Sequence, residues 1–511
     1  MHRQKIPFEA TNSFTPFFLD YIHQKESLKP FYGRFPTVAN FSDQLKEKSA
    51  SFAVQNREVL VAALQQQYKP FDIAEQVKTN LEKLKHKTTF TVTTGHQLNV
   101  FTGPLYFIYK IVTVINTCKR LKKAYPDYDF IPVYWMAAED HDYEEIRSFR
   151  LYGKKYTWET NQQGAVGRFN TNDFKKLLAD IPGDINLFKE AYTKHKKLSD
   201  AVRYYVNALF GNEGLIVVDG DDQALKKLFI PAIEQDLFEQ RHKPVVDKAD
   251  AALEAIGYKT QIHCREINLF YLEDGLRNRI EKIGNNFNVV DANISFTESE
   301  LRELVQKSPE KFSPNVVLRP LYQEMILPNL GYVGGPAEVV YWLQLKGVFE
   351  QHDTAFPILM PRNFALVLDS PTERKLTKTG LTLEDFFLDK HHLFNKVALK
   401  FSASPIMLNG EKDSIIKHFK VIQQNALAID KTLGGLVDAE KQRAINSLEK
   451  IEKKLLKAEK RKQSDRLQQV EAVKDNLFPN GSLQERTDNF LNFYQQDPNF
   501  IASLIQHFDP F

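Results

Sequence analysis

Apolar and polar positions along the chain fall into three regimes. Over residues 1–85 the apolar positions recur at helical spacing, most clearly in Ser42–Gln67 and Ala74–Lys85, so this stretch reads as mostly helical. From Thr88 the period shortens. Thr88–Thr94 is β-branched and aromatic and reads as a strand. Leu105–Lys123 then reads as a helix: Leu105, Ile108, Ile111, Val112 and Ile115 share one face. Its basic end (Lys119, Arg120, Lys122, Lys123) suits the helix dipole, and Pro126 stops it. Phe130–Met136 is nearly all apolar, as a strand buried on both faces should be. A strand, a helix and a strand in this order predict a βαβ unit, a parallel sheet and an α/β fold.

The rhythm lapses at Arg150–Phe169 and at Lys259–Arg279, which read as hairpin-bearing insertions, the second turning at Glu273-Asp274-Gly275. Between them Gly214–Val218 reads as a further strand. The α/β alternation resumes at Val316–Leu318, Ala337–Phe349 and Phe356–Met360. From about Ile415 the third regime begins. Leu436, Ile445, Leu448, Ile451, Leu455 and Ala458 are spaced mostly by three or four among dense Glu, Lys and Arg, which predicts a coiled coil or a long helical hairpin. Pro479-Asn480-Gly481 breaks it.

A chain of 511 residues exceeds what one core usually organises, so two or three domains are expected. With 68 basic against 65 acidic residues, the net +3 offers no electrostatic case for nucleic acid or an anionic membrane. The richest apolar run, Phe107–Ile115, is broken by Lys110 and is too short to span a bilayer. Met1–Ala10 has no apolar segment of signal-peptide type. Two cysteines, Cys118 and Cys264, fit a reducing cytoplasm and exclude a disulfide framework or a Cys-rich zinc site, leaving a His/carboxylate metal site open.

The candidate chemistry gathers at strand ends, where open α/β sheets bind ligands. The first strand runs into Thr94-Gly95-His96-Gln97, followed by Asn99 and Thr102-Gly103-Pro104. Thr102 is the expected cap of the next helix, whose free N–H groups would form an anion site, with His96, Gln97 and Asn99 as further donors. The alternative is a capping turn with a surface histidine. The second strand ends in Glu139-Asp140-His141-Asp142, a set suited to general-base, amine-binding or metal-binding work, or else a charged helix start. The segment Tyr332-Val333-Gly334-Gly335-Pro336-Ala337-Glu338 again opens a helix, and Glu338 is placed to bind an amine or a ribose hydroxyl. Arg362, followed by Lys375 and Lys378 in a segment with Thr and Gly, suggests a mobile loop closing over phosphates, or a solvated basic turn. There is no GxGxxG and no GxxxxGK[ST].

The strand–TGHQ–helix arrangement with a later Lys-x-x-Lys distantly resembles class I aminoacyl-tRNA synthetases and related nucleotidylyltransferases. A closer resemblance rests on TTGHQLNVFTGPLYFIYK, PVYWMAAEDHDYEEI and GYVGGPAEVVYWLQLK, in order, with the C-terminal coiled coil. Together they resemble the BshC family, assigned as the cysteine ligase of bacillithiol biosynthesis. The resemblance implies a Rossmann-like core with N-terminal helices over residues 1–390, carrying insertions at about 147–210 and 240–312. It also implies a coiled-coil domain over 391–511 that mediates homodimerisation. The implied reaction adds L-cysteine to glucosaminyl malate. Amide formation needs an activated carboxylate, a need that ATP would meet, and the use of ATP and of a metal both stay open. A nucleotidylyltransferase with another acceptor and a non-catalytic coiled-coil scaffold are the other readings.

Overall fold

A computed structural model describes residues 3–511. Two compact units are present. The first is built on Phe14–Ala365 and Glu485–Phe511, the second on Lys5–Ser13 and Leu366–Gln484.

Five strands form the core sheet of the first unit: β1 (Thr89–His96), β2 (Asp129–Met136), β3 (Ile216–Asp219), β4 (Asn329–Gly334) and β5 (Ile358–Pro361). They are hydrogen-bonded in the order β5-β4-β1-β2-β3, every pair parallel. Read from the other edge this is 3-2-1-4-5, the doubly wound order of a Rossmann-like fold, with the chain reversing direction across the sheet between β1 and β4. The helix α1 (Tyr106–Ala124) makes the crossover from β1 to β2. β1 and β2 are buried almost throughout because helices cover both faces. Phe90 and Val92 of β1 meet Val114, Cys118 and Leu121 of α1 and Phe41 and Leu45 of the helix Phe41–Ser51 in one apolar cluster.

The predicted strands at 88–94, 130–136, 214–218 and 356–360 and the helix at 105–123 all form, with shifted ends. The stretch 42–67 divides into two helices, Phe41–Ser51 and Val54–Tyr68. One strand is misplaced. Val316–Leu318 is a turn leading into α2 (Arg319–Ile326), and the strand is Asn329–Gly334, followed by α3 (Pro336–Trp342). Asn329–Gly334 has two glycines and little β-branched character, but a strand buried between β1 and β5 needs no bulky side chains to be held.

Both insertions carry antiparallel strands. The first contains the hairpin Ser148–Leu151/Lys154–Thr157. The second contains a five-stranded sheet in which Leu269–Glu273 and Leu276–Ile283 turn at Asp274-Gly275, as predicted. A polar chain ties the start of the second insertion to the core: His242 Nδ1 lies 2.9 Å from Asp236 Oδ1, and His242 Nε2 lies 2.8 Å from His352 Nε2. Burial, then the neighbouring His242, push the His352 pKa down to about 4. The unfolded imidazole titrates near 6.5, so the neutral form that the fold selects gives its full stability above about pH 6.5. That stability is lost as pH falls from there toward 4. The urea midpoint is therefore expected to fall more steeply between pH 7 and 4.5 in the wild type than in His352→Gln. Parallel declines would rule this source out.

In the second unit, α4 (Asn409–Ile429) and α5 (Leu433–Lys462) form a helical hairpin over a tight connection, followed by α6 (Ser464–Leu477). Lys412 Nζ pairs with Glu452 Oε2 at 2.6 Å across it. The apolar residues Leu381, Phe386, Leu393 and Val397 pack with Leu467, Val470, Val473 and Leu477 of α6. These contacts draw residues 366–400 into the second unit, so the division falls at 365/366 rather than at 390/391. Among the described residues no helix is long and apolar enough to cross a membrane.

Candidate active site

A cleft of about 550 Å³ opens at the carboxyl ends of the core strands, at the switch point between β1 and β4. Gly95, His96 and Gln97 enter it from β1, Ala137 and Asp140 from the end of β2, and Tyr332, Gly335 and Glu338 from β4 and α3. Tyr106 and Lys110 of α1, Arg319 and Gln323 of α2, and Arg362 and Arg486 complete much of its wall.

His96 is the last residue of β1, not part of a turn. Its ring packs against Tyr106 and Phe107, with centroids 5.4 and 5.1 Å away. Its Nε2 is shielded and has no hydrogen-bond partner among the described residues. Burial, followed by the charges of Lys110 and Arg362, holds its pKa well below the usual imidazole value. The ring is therefore neutral at physiological pH, and one of its nitrogens has no partner among the described residues.

Beside it, Glu338 closes the switch point. It accepts from Gly335 N at 2.7 Å, from Tyr332 OH at 2.8 Å and from Lys110 Nζ at 2.6 Å. Lys110 also donates to Gly95 O at 2.8 Å. Burial lowers the Lys110 pKa, and Glu338 opposes that. A Cβ at Gly95 would stand 3.3 Å from Tyr332 Oη, so the Tyr332 hydroxyl would have to give by a few tenths of an ångström. Across the cleft, Asp140 lies 3.5 Å from Arg319 Nη1 and 3.7 Å from Arg277 Nη1, and accepts from Gln97 Nε2 at 3.4 Å. Burial pushes its pKa up, but the two guanidiniums outweigh that and hold it at about 2. Gln97 also donates to Glu145 Oε2 at 2.8 Å. Arg362 is buried, donates to both oxygens of Glu485, and keeps a shielded, unpartnered Nε.

The structure thus brings together His96, Gly95, Gln97, Asp140, Tyr332, Gly335, Glu338 and Arg362. Others expected at the site lie elsewhere. Glu139 turns into the protein, where its Oε1 pairs with the buried Lys226 Nζ at 2.5 Å, and Lys226 also donates to Phe312 O at 2.6 Å. Burial raises the Glu139 pKa against the pull of Lys226. His141 is half-buried, with Nδ1 against the Arg277 guanidinium; burial and then Arg277 lower its pKa. Asp142 caps the short helix Tyr143–Ile146, accepting from Glu145 N at 3.4 Å, so for this residue the helix-start reading holds. Thr94 ties β1 to β4 through Val333 O at 2.7 Å. Gly334 is a strand residue whose carbonyl accepts from Arg362 N.

The expected anion site at the start of α1 does not form. Thr102 is buried at φ 69° and makes no cap, the residue preceding α1 is Leu105, and Leu105 N donates to Asp488 O at 2.7 Å. The loop folds inward instead. Asn489 Nδ2 donates to Phe101 O and Gly103 O at 2.6 and 2.7 Å. Gly103 adopts φ +62°, and a Cβ there would stand 2.5 Å from Asn99 Cβ. Asn99, Thr102 and Gly103 are therefore scaffold for the β1 end. Lys375 and Lys378 stand exposed on the regular helix Ser370–Thr379 of the second unit, not on a Gly/Thr loop.

Sequence reasoning missed Lys110, Arg319, Gln323 and Arg486. Lys110 carried a signal: it is the single charge in an otherwise apolar stretch of α1, and a lysine buried there must have a partner. Among the described residues no cluster of three or more His, Cys, Asp or Glu side chains is arranged to hold a metal ion.

Comparison with known proteins agrees with this architecture. "Bacillithiol biosynthesis BshC, N-terminal Rossmann-like domain" matches residues 1–363, and "Bacillithiol biosynthesis BshC, C-terminal coiled-coil domain" matches residues 365–511. A Flavobacterium psychrophilum protein named "Putative cysteine ligase BshC" is 43% identical, the match covering 96% of this chain and 94% of the relative. Proteins of the same name from Flavobacterium johnsoniae and Cytophaga hutchinsonii are each 42% identical over 99% of this chain and 97% of theirs. With both domains matched end to end and a switch-point cleft in the first, the chain belongs to the bacillithiol biosynthesis BshC family.

Proposed function

We propose that this chain is a cysteine ligase: it joins the carboxylate of L-cysteine to the amine of glucosaminyl malate, forming an amide and completing bacillithiol. The family and the name of its relatives support the reaction class. The observation that carries the site is the neutral His96, its Nε2 unpartnered, at the switch point among Lys110, Arg319 and Arg362.

A free carboxylate is a poor electrophile, because its oxide is a poor leaving group. ATP supplies, when bound, the better leaving group. The cleft fits its phosphates through Arg319, Arg486 and the unpartnered Nε of Arg362, rather than through a glycine-rich loop. His96 Nε2 donates to the oxygen on which charge develops during attack. Asp140, ionised throughout the neutral range, holds a substrate amine, and Gln97 fixes its carboxylate. The α4–α5 hairpin leaves Ile416, Val421, Ile429, Leu436 and Ile451 exposed, and we assign them to pairing with a second copy. The two unpaired, buried cysteines suit a cytoplasmic enzyme.

The test is incubation with cysteine, glucosaminyl malate and ATP, reading product by mass spectrometry and cysteine-dependent ATP–pyrophosphate exchange by label. Bacillithiol is expected. Exchange with another amino acid and none with cysteine would move the chain to a different acceptor, and no turnover of any kind would return it to a scaffold.

A further inference from the structure

Gln323 lies on the cleft wall, one helical turn after Arg319 on α2, and is only 3% exposed. Its amide is held from behind. Gln323 Nε2 donates to Glu324 Oε1 at 3.0 Å, and the same oxygen accepts from Asn329 Nδ2 at 2.6 Å. Lys48 Nζ lies 3.5 Å from Glu324 Oε2 and donates to Glu324 O at 2.9 Å. Asn329 Oδ1 in turn accepts from the hydroxyls of Thr91 and Thr93 on β1, at 3.1 and 2.9 Å. All of these side chains are buried.

This network decides which way the amide points. A carboxylate oxygen that takes two N–H groups only accepts, so the nitrogen of Gln323 must face it. The carbonyl Oε1 is left without a hydrogen-bond partner among the described residues, on a residue that lines the cleft. The network thus spends a buried lysine, a buried glutamate and an asparagine on presenting one acceptor oxygen to the ligand. Such an arrangement is costly in desolvation, and although Asn329 also ties β4 to Thr91 and Thr93 of β1, the contact from Gln323 to Glu324 adds nothing to that tie.

The two amines of the proposed reaction differ in what they require. The attacking amine must lose its proton. The α-amine of the activated amino acid must keep its own, or it becomes a competing nucleophile. A fixed carbonyl acceptor favours the ammonium form, which only donates. We propose that Gln323 is a specificity residue that binds the α-ammonium group of the amino-acid substrate through Oε1, with Lys48, Glu324 and Asn329 as positioning residues that hold the amide in that orientation. This rests on the cysteine-ligase reading above.

The experiment is titration calorimetry of the full chain with L-cysteine and with 3-mercaptopropionate, which is cysteine without its amino group. The wild type is expected to prefer cysteine by about tenfold or more, the value of a hydrogen bond to a charged group. Gln323→Met has similar volume and no acceptor. It is expected to bind the two ligands within about twofold of each other, with KM for glucosaminyl malate unchanged. If Gln323→Met keeps the wild-type preference, the assignment fails. Glu324→Gln supplies a second readout that does not depend on the fold of the first variant. It puts a donor behind Gln323 and lets the amide turn, so KM for cysteine rises while kcat holds. An unchanged KM overturns the positioning role. A wild type that neither binds nor turns over cysteine overturns the ligase reading itself, and this inference with it.

Discussion

His96→Ala is expected to lower kcat/KM for amide formation by about 10²–10³, the usual cost of removing one donor to a developing oxyanion. The argument begins with protonation. Burial and two nearby cations hold the imidazole neutral, so it cannot act as a charge clamp for phosphate. What it offers is a single ring nitrogen, shielded from water and without a protein partner. Such an atom is costly to leave unpaired, so it gains most where a new charge appears. Two measurements separate this role from a packing role, since the ring also fills space against Tyr106 and Phe107. His96→Gln keeps a donor and should retain more activity than His96→Ala at matched circular dichroism. The pH profiles of wild type and His96→Ala should run parallel from pH 6 to 8, because a strongly depressed pKa puts no His96 limb in that range. Wild-type turnover by His96→Ala would end the role, and a lost limb between pH 6 and 8 would contradict the neutral ring.

The fold was legible wherever side-chain period and burial agree. Thr88–Thr94 and Phe130–Met136 are buried on both faces, and their β-branched and aromatic runs say so. The turn at Asp274-Gly275 was legible because φ is positive at Gly275. The misplaced strand shows the limit. Val316–Leu318 has strand-like residues but leads into a helix, whereas Asn329–Gly334 has two glycines and is central to the sheet. In that strand the neighbours, rather than its own side chains, determine the conformation. The site followed the same division. That strand ends carry the cleft follows from topology, so His96, Asp140 and Glu338 could be named. Which carboxylate of Glu139-Asp140-His141-Asp142 faces the cleft is set by Lys226, Arg319 and Arg277, far away in sequence. Thr102 looked like a cap because Asp488 and Asn489, which occupy the loop, are nearly four hundred residues downstream.

Those distant residues bear on stability as well as on the cleft, and Glu485→Ala is expected to cost about 3–5 kcal/mol, read from urea unfolding. The Arg362–Glu485 pair is bidentate, and both side chains are almost fully buried, at 2% and 3% exposure. Among the described residues, alanine at 485 leaves the guanidinium with Asn363 O at 3.0 Å and two aromatic faces, those of Tyr106 and Phe364. That is too little to offset a buried, uncompensated charge. The pair itself contributes less than its loss suggests, because both ions were desolvated to make it. The double replacement Arg362→Met with Glu485→Leu should therefore recover most of the stability lost in Glu485→Ala. It should not recover activity, because Arg362 also lines the cleft and its Nε has no protein partner. A stable, inactive double variant would separate the two jobs of one arginine. A cost below about 1 kcal/mol for Glu485→Ala would mean that water reaches the pair and that it behaves as a surface ion pair. Activity in the double variant would place the cationic face of the cleft at Lys110, Arg319 and Arg486 alone.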